Sequence, residues 1–306
     1  MSDDTPVIEP NRRSRLADLS IRLVREKRLG TASGIIILIL ILVSIFADAV
    51  APYPYYEVHL IDRLQGSSAQ YLLGTDHLGR DFLSRIIVGA RLSLVVGLSA
   101  TTVNVVVAAI IGVPSGYFGG KYDIIVQRFV DAWIAFPGLI LLLTIMSIVG
   151  RGIPQIIVVL GISGGIGTSR VVRGAVIGIK ENDYFLAAPA IGSRGIATLM
   201  RHVLPNIMPV MIIIFSISVG GVIIAEASLS FLGFGLPVNI PSWGGLLSRE
   251  GRQHMEVAPW LAIWPGLALT ITVYSFNMFG DALRDLLDPR LRGGGGRLGA
   301  DGATSV

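Results

Sequence analysis

Long apolar segments constrain this chain more than any other feature of its sequence. Several of them approach the ~20 residues that carry a helix across a ~30 Å hydrocarbon layer. Of the 306 residues, 52% are apolar and only 15% are charged, and a soluble protein of this length would need more charge to cover its surface. The sequence therefore predicts an all-α integral membrane protein.

The first apolar segment follows a basic leader and is predicted to cross the membrane. The leader covers residues 1–28 and the first span covers residues 29–51. A cleaved signal peptide is the alternative, because Ala49-Val50-Ala51 resembles a cleavage site. The length of the leader and of the apolar run favours a membrane span.

Beyond the first span, the chain is predicted to have an extracytoplasmic segment, a membrane core and a C-terminal tail. These cover residues 52–85, 86–285 and 286–306. Spans two to five are rich in Gly, Ala, Ser and Val, which predicts a tightly packed bundle because small side chains let helices approach closely in lipid. The five spans of the core are predicted at about Leu92–Gly116, Phe129–Val149, Ile153–Ala175, Ile207–Leu232 and Pro259–Gly280.

The distribution of basic residues predicts the orientation of the chain. With the N-terminus inside, 18 of the 25 Lys and Arg residues fall in inner segments and 7 in outer segments. Cytoplasmic loops carry such an excess, so both ends are predicted to be cytoplasmic. The net charge of +4 does not indicate nucleic-acid binding here, because the basic residues lie between apolar blocks. The absence of cysteine excludes disulfides and thiolate metal sites.

An intramembrane protease is the rival function from another class. Gly161-Ile162-Ser163-Gly164 has the form of a serine nucleophile motif, but such a serine needs a histidine to accept its proton. All four histidines lie outside the apolar spans, and neither HExxH nor a pair of mid-membrane aspartates is present. A packing motif of small residues is the preferred interpretation. The four histidines are His59, His77, His202 and His254.

Glu226 is a carboxylate well inside the predicted fifth span. An ionised group there costs several kcal/mol unless it has a partner or water. A proton-coupled carrier could use it, but no relay of further groups accompanies it. We therefore expect Glu226 to be structural or to line an aqueous path.

Two aspartates in the outer segment precede predicted turns or helix starts. Asp76 and Asp81 can accept hydrogen bonds from free backbone amides at such positions. This capping role is favoured over a metal site that would include His77. We also expect the segment 52–85 to be ordered against the mouth of the bundle.

The segment 181–205 is the most specific signal in the sequence. It predicts a short amphipathic helix, a break at Gly192, and a second helix that stops before Pro205. On the inner face, such a rigid projection could enter a cleft on a cytoplasmic partner and transmit its motion to the spans.

This segment resembles the coupling motif of ABC importer permeases. The match runs through Ala187, Ala188, Gly192, Leu204 and Pro205. Three further stretches narrow the resemblance to the dipeptide/oligopeptide/nickel permease family, in the subunit type similar to dipeptide permease C. These stretches are 73–94 (LGTD, GRD, GARLSL), 226–244 (EASLSFLG, PSWG) and 277–290 (N, GDALRD, DPR).

The resemblance implies a six-helix permease bundle with a cytoplasmic coupling helix in a prokaryotic plasma membrane. Two departures weaken the residue-level comparison: Leu186 stands where the family usually has Glu, and Pro189 where Arg is common. Pro189 also removes an amide donor from the coupling helix. The expected contact residues for the ATPase are Asp183, Tyr184, Ala187, Ala188, Gly192, Arg201, His202, Leu204 and Pro205.

The resemblance also implies a second homologous permease, ATP-binding subunits and an extracytoplasmic substrate-binding protein. This chain has no GxxxxGK[ST] phosphate loop, so ATP and Mg are expected on the ATP-binding subunits and no catalytic site is expected here. Short peptides are the expected cargo. Nickel chelates or other peptide-like solutes are the alternative, and a secondary carrier and an intramembrane protease are more distant ones.

Overall fold

The computed structural model describes residues 15–180, 199–237 and 240–287. Within these ranges the secondary structure is helical, apart from one isolated bridge between Thr75 and Asp81. The all-α prediction is therefore confirmed for this part of the chain. The longer helices are α1 Arg15–Glu26, α2 Arg28–Ile45, α3 Phe82–Phe118, α4 Gly120–Ile134, α5 Gly138–Val149, α6 Ile153–Lys180, α7 Leu204–Phe231 and α8 Trp260–Leu287.

Five of these helices are long and apolar enough to cross a membrane, namely α2, α3, α6, α7 and α8. The pair α4 and α5 makes a sixth span if the two helices are counted as one. The first span is less regular than predicted, because α2 ends at Ile45 and a short helix, Ala47–Val50, follows. The second begins at Phe82 rather than near Leu92.

The predicted third span, Phe129–Val149, is not continuous. It is divided between α4 and α5, whose axes bend by 88° at residues 135–137. Pro137 sits at the N-cap of α5 with φ −57° and ψ 117°. A proline also biases the residue before it away from helical geometry, so Phe136-Pro137 breaks the helix. With 12 residues, α5 alone is about 18 Å long and too short to cross the bilayer.

Glycines let α3 and α6 pack at backbone distance. A Cβ added at Gly161 would lie 2.5 Å from Cβ of Val103, and one at Gly116 would lie 2.8 Å from the Arg173 carbonyl oxygen. Any side chain at these positions would force the helices apart. The predicted tight packing of small residues is therefore present, and Gly161 of the GxSG motif belongs to it.

Ion pairs between elements fall at the two ends of the bundle. At one end, Lys27 Nζ lies 2.5 Å from Asp285 Oδ2, which joins the start of α2 to the end of α8. Further pairs at that end join Asp123 to Arg173 and Asp131 to Arg170, and pairs at the other end join Asp48 to Arg91 and Glu250 to Arg80 and Arg85. Each pair links segments predicted to lie on the same side of the membrane.

The outer segment is folded onto the end of the bundle, as predicted. Tyr71 is buried and donates to Asp62 Oδ2 at 3.0 Å, and burial together with this carboxylate raises the pKa of the phenol to about 12. Phe82 packs in an apolar cluster with Leu246 and Leu261. Trp260 of α8 donates from Nε1 to the Thr75 carbonyl oxygen at 3.3 Å. These contacts tie the segment before α3 to the loop before α8.

Candidate translocation site and coupling surface

Most of the predicted coupling surface lies outside the described residues. This applies to Asp183, Tyr184, Ala187, Ala188 and Gly192, and to the departures at Leu186 and Pro189. The backbone of Arg201 and His202 is described, within a π-helical turn at Leu199–Val203.

The predicted helix stop before Pro205 is wrong. Val203 has helical φ and ψ of −75° and −55°, and the turn Leu199–Val203 runs directly into α7. Pro205 lies in the first turn of α7, where the fixed φ of proline suits the helix. Leu204 and Pro205 therefore begin α7 without interrupting the helical path from the coupling segment.

The junction between the coupling segment and α7 is anchored in an apolar cluster. Val203 and Ile207 are fully buried, and they pack with Val172 and Val176 of α6 and with Val113 of α3. A displacement of the junction would therefore move side chains of three spans, α3, α6 and α7.

Glu226 is fully buried in α7 near the C-terminal end of that helix. Its Oε1 accepts from the Ser230 hydroxyl at 2.7 Å, and the Ser242 side chain also faces the carboxylate. Ser242 caps the short helix Trp243–Leu246 by accepting from the Gly245 amide. Trp243 of that helix donates from Nε1 to the Ile86 carbonyl oxygen of α3 at 3.1 Å. The carboxylate thus lies where α7 and α3 meet the loop between α7 and α8 (residues 232–259), which we call the outer loop.

Asp81 is the N-cap of α3, as predicted. Its Oδ2 accepts from the Ser84 amide at 2.8 Å and from the Ser84 hydroxyl at 2.6 Å. Asp76 caps a turn instead, because its Oδ1 accepts from the amides of Leu78 and Arg80.

A buried network of charges connects the outer segment to the outer loop. Asp76 Oδ2 lies 2.6 Å from Arg80 Nε and 3.1 Å from an Arg85 terminal nitrogen. Glu250 Oε1 lies 2.7 Å from the other terminal nitrogen of Arg85 and 3.1 Å from Arg80. Two acids and two guanidinium groups balance in charge, which is what buried ions require.

His77 places a ring nitrogen near both carboxylates of this network. Ligand atoms of Asp76, His77 and Glu250 lie within 4.8 Å of one another, which is close enough to hold a cation. Both carboxylates are already paired with arginines, so a cation would have to displace guanidinium groups. Burial lowers the pKa of the imidazole of His77, which stacks on His254 with ring centroids 5.5 Å apart. The arrangement is that of a salt-bridge network more than of a metal centre.

A cavity of about 480 Å³ opens between α3, α6, α7 and the bent pair. We call it the Asn104 cavity. Its three polar side chains come from three different helices and lie near the middle of each, so the cavity lies at mid-membrane depth. Its defining residues are Asn104, Trp133, Ser163, Gly167, Ser218 and Gly221.

Asn104 is the most unusual group in this cavity. Its side chain is 4% exposed, and its amide oxygen accepts no hydrogen bond within the described part of the chain. A buried acceptor left unpaired costs about 1–3 kcal/mol. The amide nitrogen lies against Gly164, where any Cβ would collide with it. The absence of a side chain at Gly164 therefore leaves room for the Asn104 amide.

The sequence interpretation missed this site. Charged residues and the GxSG motif are the prominent signals in the sequence, whereas the cavity is lined by uncharged polar and apolar groups. A signal was available, because Asn104 is an isolated amide within the apolar run Val103–Val113, and polar side chains in a span are costly. Ser163 lines the cavity, and none of the cavity-lining residues is a histidine that could activate it.

Comparisons with known proteins agree with these features. Residues 106–293 match the family model described as binding-protein-dependent transport system inner membrane component, and residues 16–66 match the N-terminal TM domain of oligopeptide transport permease C. The glutathione transport system permease protein GsiD of Pectobacterium atrosepticum is 38% identical over 87% of this chain and 89% of its own length. The dipeptide transport system permease protein DppC of Alkalihalophilus pseudofirmus is 36% identical over 88% of each chain.

A solved structure gives a weaker likeness. A chain of the inward-facing MetNI methionine ABC transporter matches with a TM-score of 0.47 and 20% identity, over 63% of this chain and 94% of that one. The assignment of a family therefore depends on the sequence matches.

Proposed function

The chain belongs to the family of binding-protein-dependent transport system inner membrane components, and we propose that it forms one half of the membrane path of an ATP-driven importer of short peptides. The observation that carries this proposal is its similarity, over nearly nine-tenths of its length, to permeases named for glutathione and for dipeptides. Both of those cargoes are small peptides. An intramembrane cavity without charged lining residues is compatible with such a cargo.

The proposal includes three kinds of partner. A second homologous permease would complete the path, an extracytoplasmic binding protein would deliver the peptide, and cytoplasmic ATP-binding subunits would drive transport. The absence of a phosphate loop from this sequence supports ATP and Mg binding on those subunits. In this proposal the chain itself catalyses no reaction.

We further propose that residues 181–205 receive the stroke of the ATPase. Support comes from the continuous helical backbone between Leu199 and α7 and from the burial of Val203 and Ile207 against α3 and α6. A push on the coupling segment would move α7 as a lever against those two helices. The contact residues would be those of the coupling motif, from Asp183 to Pro205.

The orientation in this proposal has both ends in the cytoplasm of a prokaryote. It follows from the asymmetry of Lys and Arg. Reporter fusions after Gly120, Asn182 and Arg292 should report cytoplasm, and fusions near Ser68 and Ser248 should report the outside. An external signal at Asn182 would contradict both the orientation and the coupling role.

Uptake by the complete importer tests the proposed function. The transporter, reconstituted in proteoliposomes with its binding protein, should accumulate a labelled dipeptide or glutathione when ATP is supplied. Inactivating the ATP-binding subunits should abolish that uptake. Uptake that continues on an ion gradient alone would indicate a secondary carrier, and uptake of a nickel chelate without any peptide would indicate the alternative cargo.

The coupling role is tested by a substitution at the predicted turn of the loop. Gly192→Val should leave membrane insertion and docking of the binding protein intact, because the change is confined to the cytoplasmic loop. It should reduce co-purification of the ATP-binding subunits, or leave ATP hydrolysis running without transport. A Gly192→Val complex that assembles and transports like the parent would show that the coupling surface lies elsewhere.

A further inference from the structure

We propose that the Asn104 cavity is a transient binding subsite for the backbone N–H groups of a peptide in transit, with Asn104, Ser163 and Ser218 as its polar contacts. The inference rests on the proposed function, because it names where within the membrane path the cargo is held. It assigns substrate contacts to side chains for which the family motifs give no role.

Asn104 supplies an acceptor that has no donor. Its amide oxygen is buried and accepts no hydrogen bond within the described ranges, and its nitrogen lies against Gly164. A backbone N–H group of a peptide would satisfy this oxygen. The serine hydroxyls at 163 and 218, which line the same cavity, can each donate or accept.

The broken third span forms one wall of the cavity. Trp133 and Ile134 come from the end of α4, and Gly138 comes from the start of α5. Non-helical backbone at membrane depth is tolerated where it is buried in protein or lines a water-filled cavity. The first amides of α5 have no side-chain cap, and Gly138, which carries the first of them, lines the cavity.

The lining also defines the chemical class of the ligand. Among the lining residues there is no Asp, Glu, Lys or Arg, so the cavity offers no counter-charge for a metal ion or a charged side chain. Apolar residues such as Leu141 and Val222 make up most of the rest. A volume near 480 Å³ lies within the ~300–1,000 Å³ of small-ligand sites. Uncharged polar groups on an apolar wall suit a short peptide recognised by its backbone.

The first experiment replaces the acceptor in the reconstituted importer. Asn104→Leu keeps a similar volume but cannot accept a hydrogen bond, and we expect peptide uptake to fall about tenfold, as loss of one hydrogen bond to cargo implies. The variant should still co-purify with the ATP-binding subunits, and Asn104→Gln should retain part of the uptake. The matched control is Ser216→Ala, because the Ser216 hydroxyl is buried on α7 and donates to the Ile212 carbonyl oxygen, outside the cavity.

A pair of cargoes distinguishes contact with the peptide from a structural role. The parent should transport trialanine faster than the analogue that is methylated at the peptide nitrogens. In Asn104→Leu the ratio of the two uptake rates should be closer to one. The binding protein discriminates equally in both cases, so only the cavity can change the ratio. An unchanged ratio, or parental uptake by Asn104→Leu, would overturn the inference.

Thiol labelling keeps the test decisive if Asn104→Leu fails to assemble. The sequence contains no cysteine, so Ser218→Cys and Ser216→Cys would each place a single thiol on this subunit. A small methanethiosulfonate reagent should label Ser218→Cys during turnover, trialanine should slow that labelling, and Ser216→Cys should not respond. Two results would overturn the proposal. One is no labelling of Ser218→Cys, which is expected if the partner permease fills the cavity, and the other is labelling that trialanine does not slow. Failure of the proposed function is a separate result, since the parent would then import no peptide.

Discussion

The two faces of α6 use small residues for opposite purposes. On the face toward α3, a Cβ added at Gly165 would lie 2.7 Å from the Asn104 carbonyl oxygen and 2.7 Å from Val107 Cβ. On the face toward the Asn104 cavity, a Cβ added at Gly167 would meet nothing within 4 Å. Gly165 and Gly167 are only two positions apart on α6. Gly165 belongs to the close-packed contact between α3 and α6, which we call the seam, whereas Gly167 faces open space.

This difference shows that glycine content alone does not distinguish packing from function in a membrane helix. Along the seam, the missing side chains let α3 and α6 approach to backbone distance, which fixes the two helices as one unit. Along the cavity, they leave room for a ligand and for water. The α3–α6 pair, which we call the frame, is therefore rigid. The bent pair α4–α5 and α7 pack against this frame and enclose the Asn104 cavity, which we propose to be part of the transport path.

Substitution at the two glycines should show the largest contrast. We expect Gly165→Ala to cost about 3 kcal/mol of stability, because the methyl group would press on backbone as well as on Val107 and neither can move away freely. Gly167→Ala should be neutral or stabilise the helix by up to about 1 kcal/mol. Thermal unfolding of the purified complex in detergent measures both. Equal losses in the two variants would show that the cavity face is packed as tightly as the seam.

Substitutions at Glu226 test whether this buried carboxylate has a structural role or acts in translocation. It does not line the Asn104 cavity, and its carboxylate bonds to Ser230 where α7 meets the outer loop. Glu226→Leu should cost about 2 kcal/mol and impair assembly, because it leaves buried hydroxyls without an acceptor. Glu226→Gln keeps the shape and one acceptor, so it should retain most activity.

Assembly and ATP hydrolysis of the two Glu226 variants provide the control. If both variants assemble and hydrolyse ATP normally yet transport nothing, the charge itself acts in translocation. Glu226 would then belong to the path, and the division between frame and cavity would need to be redrawn.

The sequence predicted the fold class and most of the spans, because long apolar runs and small-residue packing are local properties. It also predicted the N-cap at Asp81, which depends on residues three positions apart. It missed the break at Phe136-Pro137 because the apolar composition continues through it, and a proline in a membrane span can also be accommodated without a break. The Asn104 cavity was missed for another reason: its polar residues come from three helices, and only their packing brings them together.

Asp81 fixes the outer start of α3, and hence one end of the seam. Asp81→Ala should cost about 1 kcal/mol, because the Ser84 amide and hydroxyl lose their acceptor. Asp81→Asn keeps an acceptor oxygen and should lose less. Thermal unfolding of the complex measures the change. Added zinc or nickel should restore neither stability nor transport, and restoration by either ion would indicate a metal site in place of a cap.

The smallest expected effect is a pH dependence of the stability of the outer segment. This segment packs on one end of the helix bundle but is not part of the α3–α6 pair. Burial lowers the pKa of His77 below its ordinary value of 6.5, and the nearby Arg80 and His254 add to the shift while Asp76 opposes it. The unfolded chain therefore binds a proton more readily than the folded one as the pH falls through the ordinary value. Stability from this group is complete above that pH and declines below it, until the pH reaches the lowered pKa of the folded state.

Unfolding of the complex followed between about pH 5 and about pH 8 should show that decline, and His77→Gln should flatten it. His59→Gln is the matched control, since it removes a histidine from the same segment that is partly exposed and paired with Glu57. Hydrogen exchange of the segment should localise the change to residues near Asp76 and leave the amides of the seam unaffected. If the seam loosens to the same extent as the outer segment, the two regions unfold as one unit, and the frame extends to the outer surface of the molecule.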